Sequence, residues 1–304
     1  MKVSVIIPTY NGKERILHVL KSIERQTYQP SEVIVVIDGS VDGTGDLLRN
    51  SVVNISKLRI IEQENQGRAR VRNNGADKAS GELLVFIDDD MIASQGWLDA
   101  HVSHHSRYPG TIATGVEEDN EERYKHDFHD FIAWKHKEWN NIEFVEGYGN
   151  RYSKRPKNPY LTASNLSIPR NIFLQLGGFD GRLSDAEDYD LAVRALEQNI
   201  VVYYLLNAVA FNNTVNLPSC YDVIRRQRQY RLANSNLRQL KPDLYNKFPL
   251  RDGYKPSFAK RLIYKLFCGV WWIKSVDNEY WILLPRKVRF KFYDIIVTAN
   301  GCLC

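Results

Sequence analysis

The sequence predicts an α/β fold: a mostly parallel, Rossmann-like doubly wound sheet with a helical C-terminal appendage. Two observations lead there. From the first residue, short apolar runs alternate with stretches of helical periodicity, the order that builds βαβ units. Runs such as residues 33–37 are apolar at every position, as strands covered on both faces require.

Residues 3–7 read as a strand ended by Pro8, with Tyr10-Asn11-Gly12 as a turn. Ile16, Leu17, Leu20 and Ile23 then recur at helical spacing. A second strand over 33–37, a helix from Asp42 and a third strand over 58–61 follow. Residues 68–78 read as helix, 82–87 as the fourth strand and 97–105 again as helix. Residues 117–159 interrupt the rhythm with charge and aromatics, including a helix within 124–139. Regular structure resumes over 160–168. A helix over 184–197, strands over 201–205 and 209–211, and a long basic helix over 221–240 come after it.

At 304 residues, 43% hydrophobic and 25% charged, the composition is that of an ordinary globular protein. Net charge is +5, and the excess gathers at the end, where residues 251–304 hold ten Lys/Arg against four Asp/Glu. Such a surface suits phosphates or anionic lipid and is too weak for nucleic acid. Cys220, Cys268, Cys302 and Cys304 form no CxxC, so all four read as free thiols in a reducing, cytoplasmic setting. Met1-Lys2 runs straight into a strand, which leaves no cleavable signal peptide, and no apolar stretch reaches spanning length.

The chemistry centres on Val85-Phe86-Ile87-Asp88-Asp89-Asp90. On an extended backbone Asp88 and Asp90 point one way and Asp89 the other. Two carboxylates past a strand end make a hard oxygen site for Mn²⁺ or Mg²⁺, although an acidic helix-capping loop explains them too. Pro8, Thr9, Tyr10 and Asn11 follow the first strand and Asp38-Gly39-Ser40 the second, where a nucleotide can bind or where turn chemistry alone suffices. Arg68 and Arg72 share a helix face that could meet a diphosphate or face water. Ser184 and Glu187 have capping-box spacing, which leaves Asp188 without a structural duty. In a first helical turn the dipole lowers its pKa and keeps it ionised, ready to act as a base. His126, His129 and His136 lack the spacing of a zinc site.

Together these motifs resemble the inverting, nucleotide-sugar-dependent glycosyltransferases of family 2, with the GT-A fold. Val5-Ile6-Ile7-Pro8-Thr9-Tyr10-Asn11, Asp38 to Thr44, Asn65 to Gly75, Ile87-Asp88-Asp89-Asp90, Asn165 with Gly177-Gly178-Phe179-Asp180, and Glu187-Asp188-Tyr189-Asp190-Leu191 carry the resemblance in order. It implies a catalytic domain over 1–215: a nucleotide-sugar-binding half over 1–115, and an acceptor-side half over 116–215 with its insertion at 117–159. Residues 216–304 form a helical, basic and aromatic C-terminal region. By the same resemblance Pro8, Thr9, Tyr10, Asp38, Arg72, Asp88 and Asp89 hold the nucleotide. Asp90 and Asp88 bind Mn²⁺ or Mg²⁺, and Asp188 is the catalytic base. Asn165, Gly178, Phe179 and Glu187 lie on the acceptor side. The family often carries a metal-binding His after the closing strand, where this chain has Asn212, whose amide oxygen could substitute. QxxRW, the signature of processive synthases, is absent, so addition of a single sugar is expected. The implied donor is a nucleotide sugar, UDP-linked by preference, and the acceptor a glycan or lipid-linked glycan. A non-catalytic module and a nucleotidyltransferase are the competing readings. The Trp-, Leu- and Lys-rich tail reads either as a peripheral membrane contact at the inner face of the cell membrane or as a surface packed on the catalytic domain.

Overall fold

The computed structural model describes residues 1–119, 126–139, 142–214, 217–248 and 256–302, with the side chains of 136–139 left undescribed. The elements run β1 (Val3–Thr9), α1 (Ile16–Glu24), β2 (Glu32–Asp38), α2 (Thr44–Asn50), β3 (Leu58–Gln63), α3 (Arg68–Lys78), β4 (Leu83–Ile87), β5 (Met91–Ala93), α4 (Trp97–Arg107) and β6 (Ile112–Asp119). Then come α5 (Asp127–Trp139), β7 (Phe144–Gly149), β8 (Ser153–Pro156), β9 (Asn165–Pro169), α6 (Arg170–Gln175), α7 (Glu187–Glu197) and β10 (Val202–Asn212). The chain ends with α8 (Cys220–Leu240), α9 (Pro242–Lys247), α10 (Phe258–Leu266), α11 (Val270–Asp277) and α12 (Arg286–Cys302). Two compact units result. One is Met1–Asn120 with Ile142–Val215, the other Glu121–Asn141 with Asn216–Cys304.

All ten strands described lie in the first unit, in the order β3-β2-β1-β4-β9-β6-β10-β8-β7, with β5 paired to β10. β1 to β4 run parallel, and β9 enters antiparallel between β4 and β6. The expected mostly parallel sheet is therefore present in the part that carries the acidic motif. Its strands bury side chains on both faces. Val3, Val5, Ile7, Val33, Val35, Leu83 and Val85 pack with α1 and α4, while Ile6, Ile34, Val36, Leu84 and Phe86 pack with α3, α6 and α7. Period-two alternation distributes one apolar run to two cores.

β1 continues through Pro8 to Thr9. Its pairing with β4 stops at Ile6, so beyond that point only the β2 side has to be matched, and a proline is tolerated. The two closing strands expected over 201–211 are one strand, β10, whose ladder with β6 shifts register between Leu205 and Val209. That irregularity leaves the Ala208 carbonyl for Asn165 Nδ2 (2.9 Å), which also reaches the Val116 carbonyl (2.9 Å). Gly115 is needed beside them. A Cβ there would fall 2.2 Å from the Ala208 oxygen and 2.4 Å from Asn165 Nδ2.

The second unit is helical. Phe128, Phe131 and Ile132 of α5 pack with Ile224 of α8, Ile273 and Val276 of α11, and Phe290, Tyr293 and Ile296 of α12. α8 opens with a capping box: Ser219 Oγ accepts from Asp222 N (3.2 Å), and the Asp222 carboxylate from Ser219 N (3.2 Å). Arg289 forms a two-point ion pair with Asp127. Cys220 and Cys302 are free thiols, whereas Cys268 is disulfide-bonded, so the expectation of four free thiols fails for it. A spacing without CxxC does not prevent a pairing made by the fold. No helix among the described residues is long and apolar enough to cross a membrane.

Candidate active site

β1 is the strand at which the sheet changes direction of growth: β2 and β3 lie to one side and β4 to the other. Ligand crevices in open α/β sheets form at the carboxyl ends beside such a point. Here those ends carry Thr9, Asp38 and the Asp88–Asp90 turn. The loops after β1 and β2 are fastened together. Asn11 N donates to Ser40 Oγ (2.9 Å), Val41 N to Asn11 Oδ1 (2.9 Å), Gly12 N to Thr44 Oγ1 (3.0 Å) and Lys13 N to Asp42 (3.0 Å).

Asp38 folds the segment after β3 over this rim. Its carboxylate accepts from Gln63 Nε2 (2.7 Å) and from the backbone N–H groups of Gln66 (2.8 Å) and Gly67 (2.9 Å). Much of its hydrogen-bonding capacity is thus internal. Tyr10 is exposed on the same rim, and Pro8 is buried in β1. Thr9 and Asp89 are tied to each other. Thr9 Oγ1 donates to Asp89 Oδ2 at 2.5 Å, and Arg15 reaches the same carboxylate with Nε (3.3 Å) and Nη2 (3.1 Å). Both groups hold the acidic turn against β1, a role that alternation along a strand did not reveal; Arg15 carries no motif at all.

Asp88 turns the other way, to Arg72. This buried guanidinium donates through Nη2 to Asp88 Oδ1 (2.6 Å) and through Nη1 to Glu187 Oε1 (2.8 Å). Burial alone would lower its pKa, but Asp88 and Glu187 outweigh that and hold it above its ordinary value. Arg68, four residues earlier, stays largely exposed and lies 3.9 Å from Asp185. Asp90 follows in the turn, where its carbonyl accepts from Asn213 N (2.6 Å). Burial, reinforced by the charges of Asp88 and Asp89, pushes its carboxyl up to about 7. Such an acidic group short of positive charge suits a hard divalent cation. No cluster of three or more His, Cys, Asp or Glu ligands occurs among the described residues. The carboxylate oxygens of Asp88 and Asp90 are hard donors of the kind Mn²⁺ or Mg²⁺ take, with water and a substrate diphosphate as their other ligands. Asn212 pairs with Met91, the residue after Asp90, but its Oδ1 accepts from Thr214 N (2.9 Å) and Oγ1 (2.5 Å). As placed, its oxygen caps a turn.

Two expectations about the late helix need correction. Ser184 and Glu187 form no capping box, because Ala186 is left-handed (φ 61°) and α7 starts only at Glu187. Glu187 is instead the second carboxylate on Arg72. Nor is Asp188 held below the usual carboxylate range. Burial and then the adjacent Glu187 push it up to about 7, against the pull of Arg72 and hydrogen bonds from the backbone of Tyr189 and Ala163. Desolvation outweighs the helix dipole at this position.

The other residues expected on the acceptor side lie inside the fold. Asn165 is fully buried, and its Oδ1 accepts from Trp97 Nε1 (2.8 Å) while lying 3.0 Å from His101 Nε2. With both amide protons also used, it has nothing left for an acceptor. Phe179 packs edge-on against Phe86 and Phe173, and its backbone is gripped at both ends by Asn73 (2.7 and 2.9 Å). Gly178 sits at φ 68°, and a Cβ there would fall 2.9 Å from Asn73 Oδ1. Glu117 was missed. It lies on β6, bonds Ser164 Oγ, and its carboxyl is raised by burial, with Asp88 adding to the shift.

A family model described as Glycosyl transferase family 2 matches residues 4–177. The chain belongs to glycosyl transferase family 2. Among family relatives, the glucosyl-dolichyl phosphate glucuronosyltransferase of Haloferax volcanii is 29% identical over 210 residues, 65% of this chain and 64% of that protein. Glycosyltransferase AglE of the same organism is 44% identical over 104 residues, 33% of this chain and 34% of its own length. The chain thus spans less than two thirds of the length of these relatives. The mannosyltransferase of Pyrobaculum calidifontis, solved in complex with GDP-Man and Mn²⁺, superposes with a TM-score of 0.63 at 18% identity, covering 98% of this chain and 85% of that one. TarS 1-349 of S. aureus in complex with UDP gives 0.55 at 18% identity, covering 99% and 90%. These likenesses establish the GT-A fold expected from the motifs.

Replacing Arg72 by Met leaves Asp88 and Glu187 without their shared counter-charge. We expect a loss of about 3 kcal/mol in denaturant unfolding, the scale of breaking a buried pair, with partial recovery when Glu187→Gln is added. Equal stability of Arg72→Met and wild type would mean that the guanidinium does not hold the two elements together.

Proposed function

We propose that the chain is an inverting glycosyltransferase that moves a single sugar from a nucleoside-diphosphate sugar, in our reading a UDP-sugar, to a hydroxyl of a glycan or lipid-linked acceptor. One observation carries this reading: Arg72 joins Asp88 of the acidic turn to Glu187, the neighbour of Asp188, within hydrogen-bond distance of both. A donor site and a base are thereby tied to one guanidinium. Asp188 takes the proton of the acceptor hydroxyl, whose oxygen bonds to the anomeric carbon as the bond to the diphosphate oxygen breaks. The leaving diphosphate keeps the electron pair. A divalent cation on Asp90 and Asp88 would neutralise that charge when bound. The rim formed by Tyr10, the fastened loops and Asp38 would receive the nucleotide, with Thr9 and Asp89 supporting the turn beneath it. Among family members, the Haloferax protein named for glucosyl-dolichyl phosphate and a Campylobacter jejuni glucosyltransferase named for a pyrophosphoryl-undecaprenol glycan support a lipid-linked acceptor here.

Asp188→Asn is expected to bind nucleotide nearly as well as wild type and to reduce transfer at least ~100-fold, the usual scale of losing a general base. Because the folded carboxyl titrates near 7 and only its ionised form accepts a proton, wild-type transfer should rise with pH through that region and level off above it. A well-folded Asn variant that still transfers sugar refutes the assignment. Nucleotidyl transfer is tested separately, by pyrophosphate release from a sugar phosphate and a nucleoside triphosphate.

Asp90→Ala should abolish the effect of Mn²⁺ on nucleotide-sugar binding, measured by thermal shift with and without the ion. Retained metal dependence would place the cation elsewhere.

We also read the C-terminal unit as a peripheral membrane contact. Its apolar residues divide: Ile273, Val276 and Phe290 are buried in its own core, whereas Leu266 (72% exposed), Trp271 (59%) and Leu283 (94%) face outward near Lys265, Lys274 and Arg286. Apolar and basic residues in this mixture suit an anionic interface. Flotation with anionic vesicles should carry the full-length protein in a salt-sensitive way, and Leu266→Glu with Trp271→Glu should leave it at the bottom. If the wild-type protein does not float, this part of the reading fails.

A further inference from the structure

The helical unit encloses a half-open cavity of about 980 Å³ between α5, α8, α10 and α12. That volume lies at the upper end for small-molecule sites. Its walls are apolar where they are deepest: Phe131, Ile132 and Val297 are buried, and Ile263, Tyr264 and Ile295 extend the surface outward. Charge is distributed differently. Among the described residues, five cations and a single carboxylate line the same space.

Those cations are partly anchored. Lys135 pairs with Asp294 at 2.9 Å, and Arg231 donates to the carbonyls of Gly301 and Cys302 at the end of α12. Arg226 lies over the Tyr230 ring at 5.3 Å. Lys260 and Lys291 complete the set, and both are exposed. An apolar chamber lined by an excess of positive charge is complementary to a molecule with an apolar chain and an anionic head. Hydrocarbon would exclude water from the walls, and a phosphate would meet several cationic donors.

We propose that this cavity binds a single-chain lipid phosphate, its hydrocarbon against Ile132, Ile263 and Val297 and its phosphate among Lys260, Lys291 and Arg226. The site gives the C-terminal unit a ligand of its own. Its biological role rests on the lipid-linked acceptor reading above, but the binding does not.

Dodecyl phosphate, below its micelle concentration, is the probe for titration calorimetry on the full chain. Dodecyl maltoside supplies the same chain with a neutral head, and inorganic phosphate the head alone. Saturable binding of dodecyl phosphate, about tenfold or more tighter than either comparator, is expected. Lys260→Glu with Lys291→Glu should weaken it about thirtyfold or more, since two basic residues near an anionic head are lost and their charge reversed. Thr298→Trp, which fills the cavity from α12, should weaken both amphiphiles. Equal binding of the two amphiphiles, phosphate binding as tightly as dodecyl phosphate, or indifference to both variants overturns the proposal. Nucleotide-sugar binding is measured on the same samples. Its loss with amphiphile binding intact counts against the transferase reading alone, and the reverse pattern against the cavity alone.

Discussion

Arg72 carries its charge where almost no water reaches it, and the two carboxylates that share it come from distant parts of the sequence. Asp88 lies 16 residues away and Glu187 lies 115 away, yet both are within 2.8 Å of its terminal nitrogens. Desolvating a guanidinium costs several kcal/mol, which only close, well-directed partners offset. The arrangement therefore constrains α3, the end of β4 and the start of α7 at once. It also sets the electrostatics of the neighbour. Asp188 is pulled down by Arg72 and pushed up by burial and Glu187, and the balance leaves it near 7, where a carboxylate can be ionised yet still basic.

A second constraint lies beneath the first. Asn165 pairs with Ile87 at the end of β4, and its side chain ties Trp97 and His101 of α4 to the carbonyls of Val116 and Ala208. Because β9 runs antiparallel between β4 and β6, this one amide joins the end of β4 to carbonyls within β6 and β10. His101, His104 and His105 extend the polar layer, and burial lowers the pKa of each, so they stay neutral and bond to Ser167, Ser153 and Thr111. The acidic turn is thus carried on a largely hydrogen-bonded support, with His105 Nδ1 the unpartnered atom among these histidines, which preorganises it without using the acids themselves.

The alternation of strand and helix was legible because it depends on local periodicity, and so was the acidic turn, since three acids after an apolar strand are unusual in any context. Partnership across the chain was not legible. Ser184 and Glu187 had the spacing of a cap, but Ala186 adopts a left-handed conformation between them, and the real capping box belongs to Ser219 and Asp222. Thr9 and Asp89 each read as a ligand contact, and each is half of a tie 80 residues long. Asn165 and Phe179 followed motif order correctly and still lie inside the fold. Motif order locates a neighbourhood, whereas hydrogen-bond geometry assigns the task within it.

Ionisation was the hardest property to read, because helix position and desolvation act in opposite directions on the same carboxyl. The dipole favours charge at the first turn of α7 by at most a couple of kcal/mol, and burial with a like-charged neighbour can exceed that. Asp188 and Asp90 are both raised to about 7 by burial together with adjacent acids, though they stand on different elements. They differ in what surrounds them. Arg72 and two backbone N–H groups lower Asp188, so part of its charge is already compensated inside the protein. Asp90 is lowered by the charge of Arg15 and by its own backbone N–H, and Arg15 gives its hydrogen bonds to Asp89 and the Tyr10 carbonyl. The carboxylate with internal compensation is suited to exchanging a proton. The one left short of positive charge is suited to a cation from outside, which accords with the two roles proposed for them.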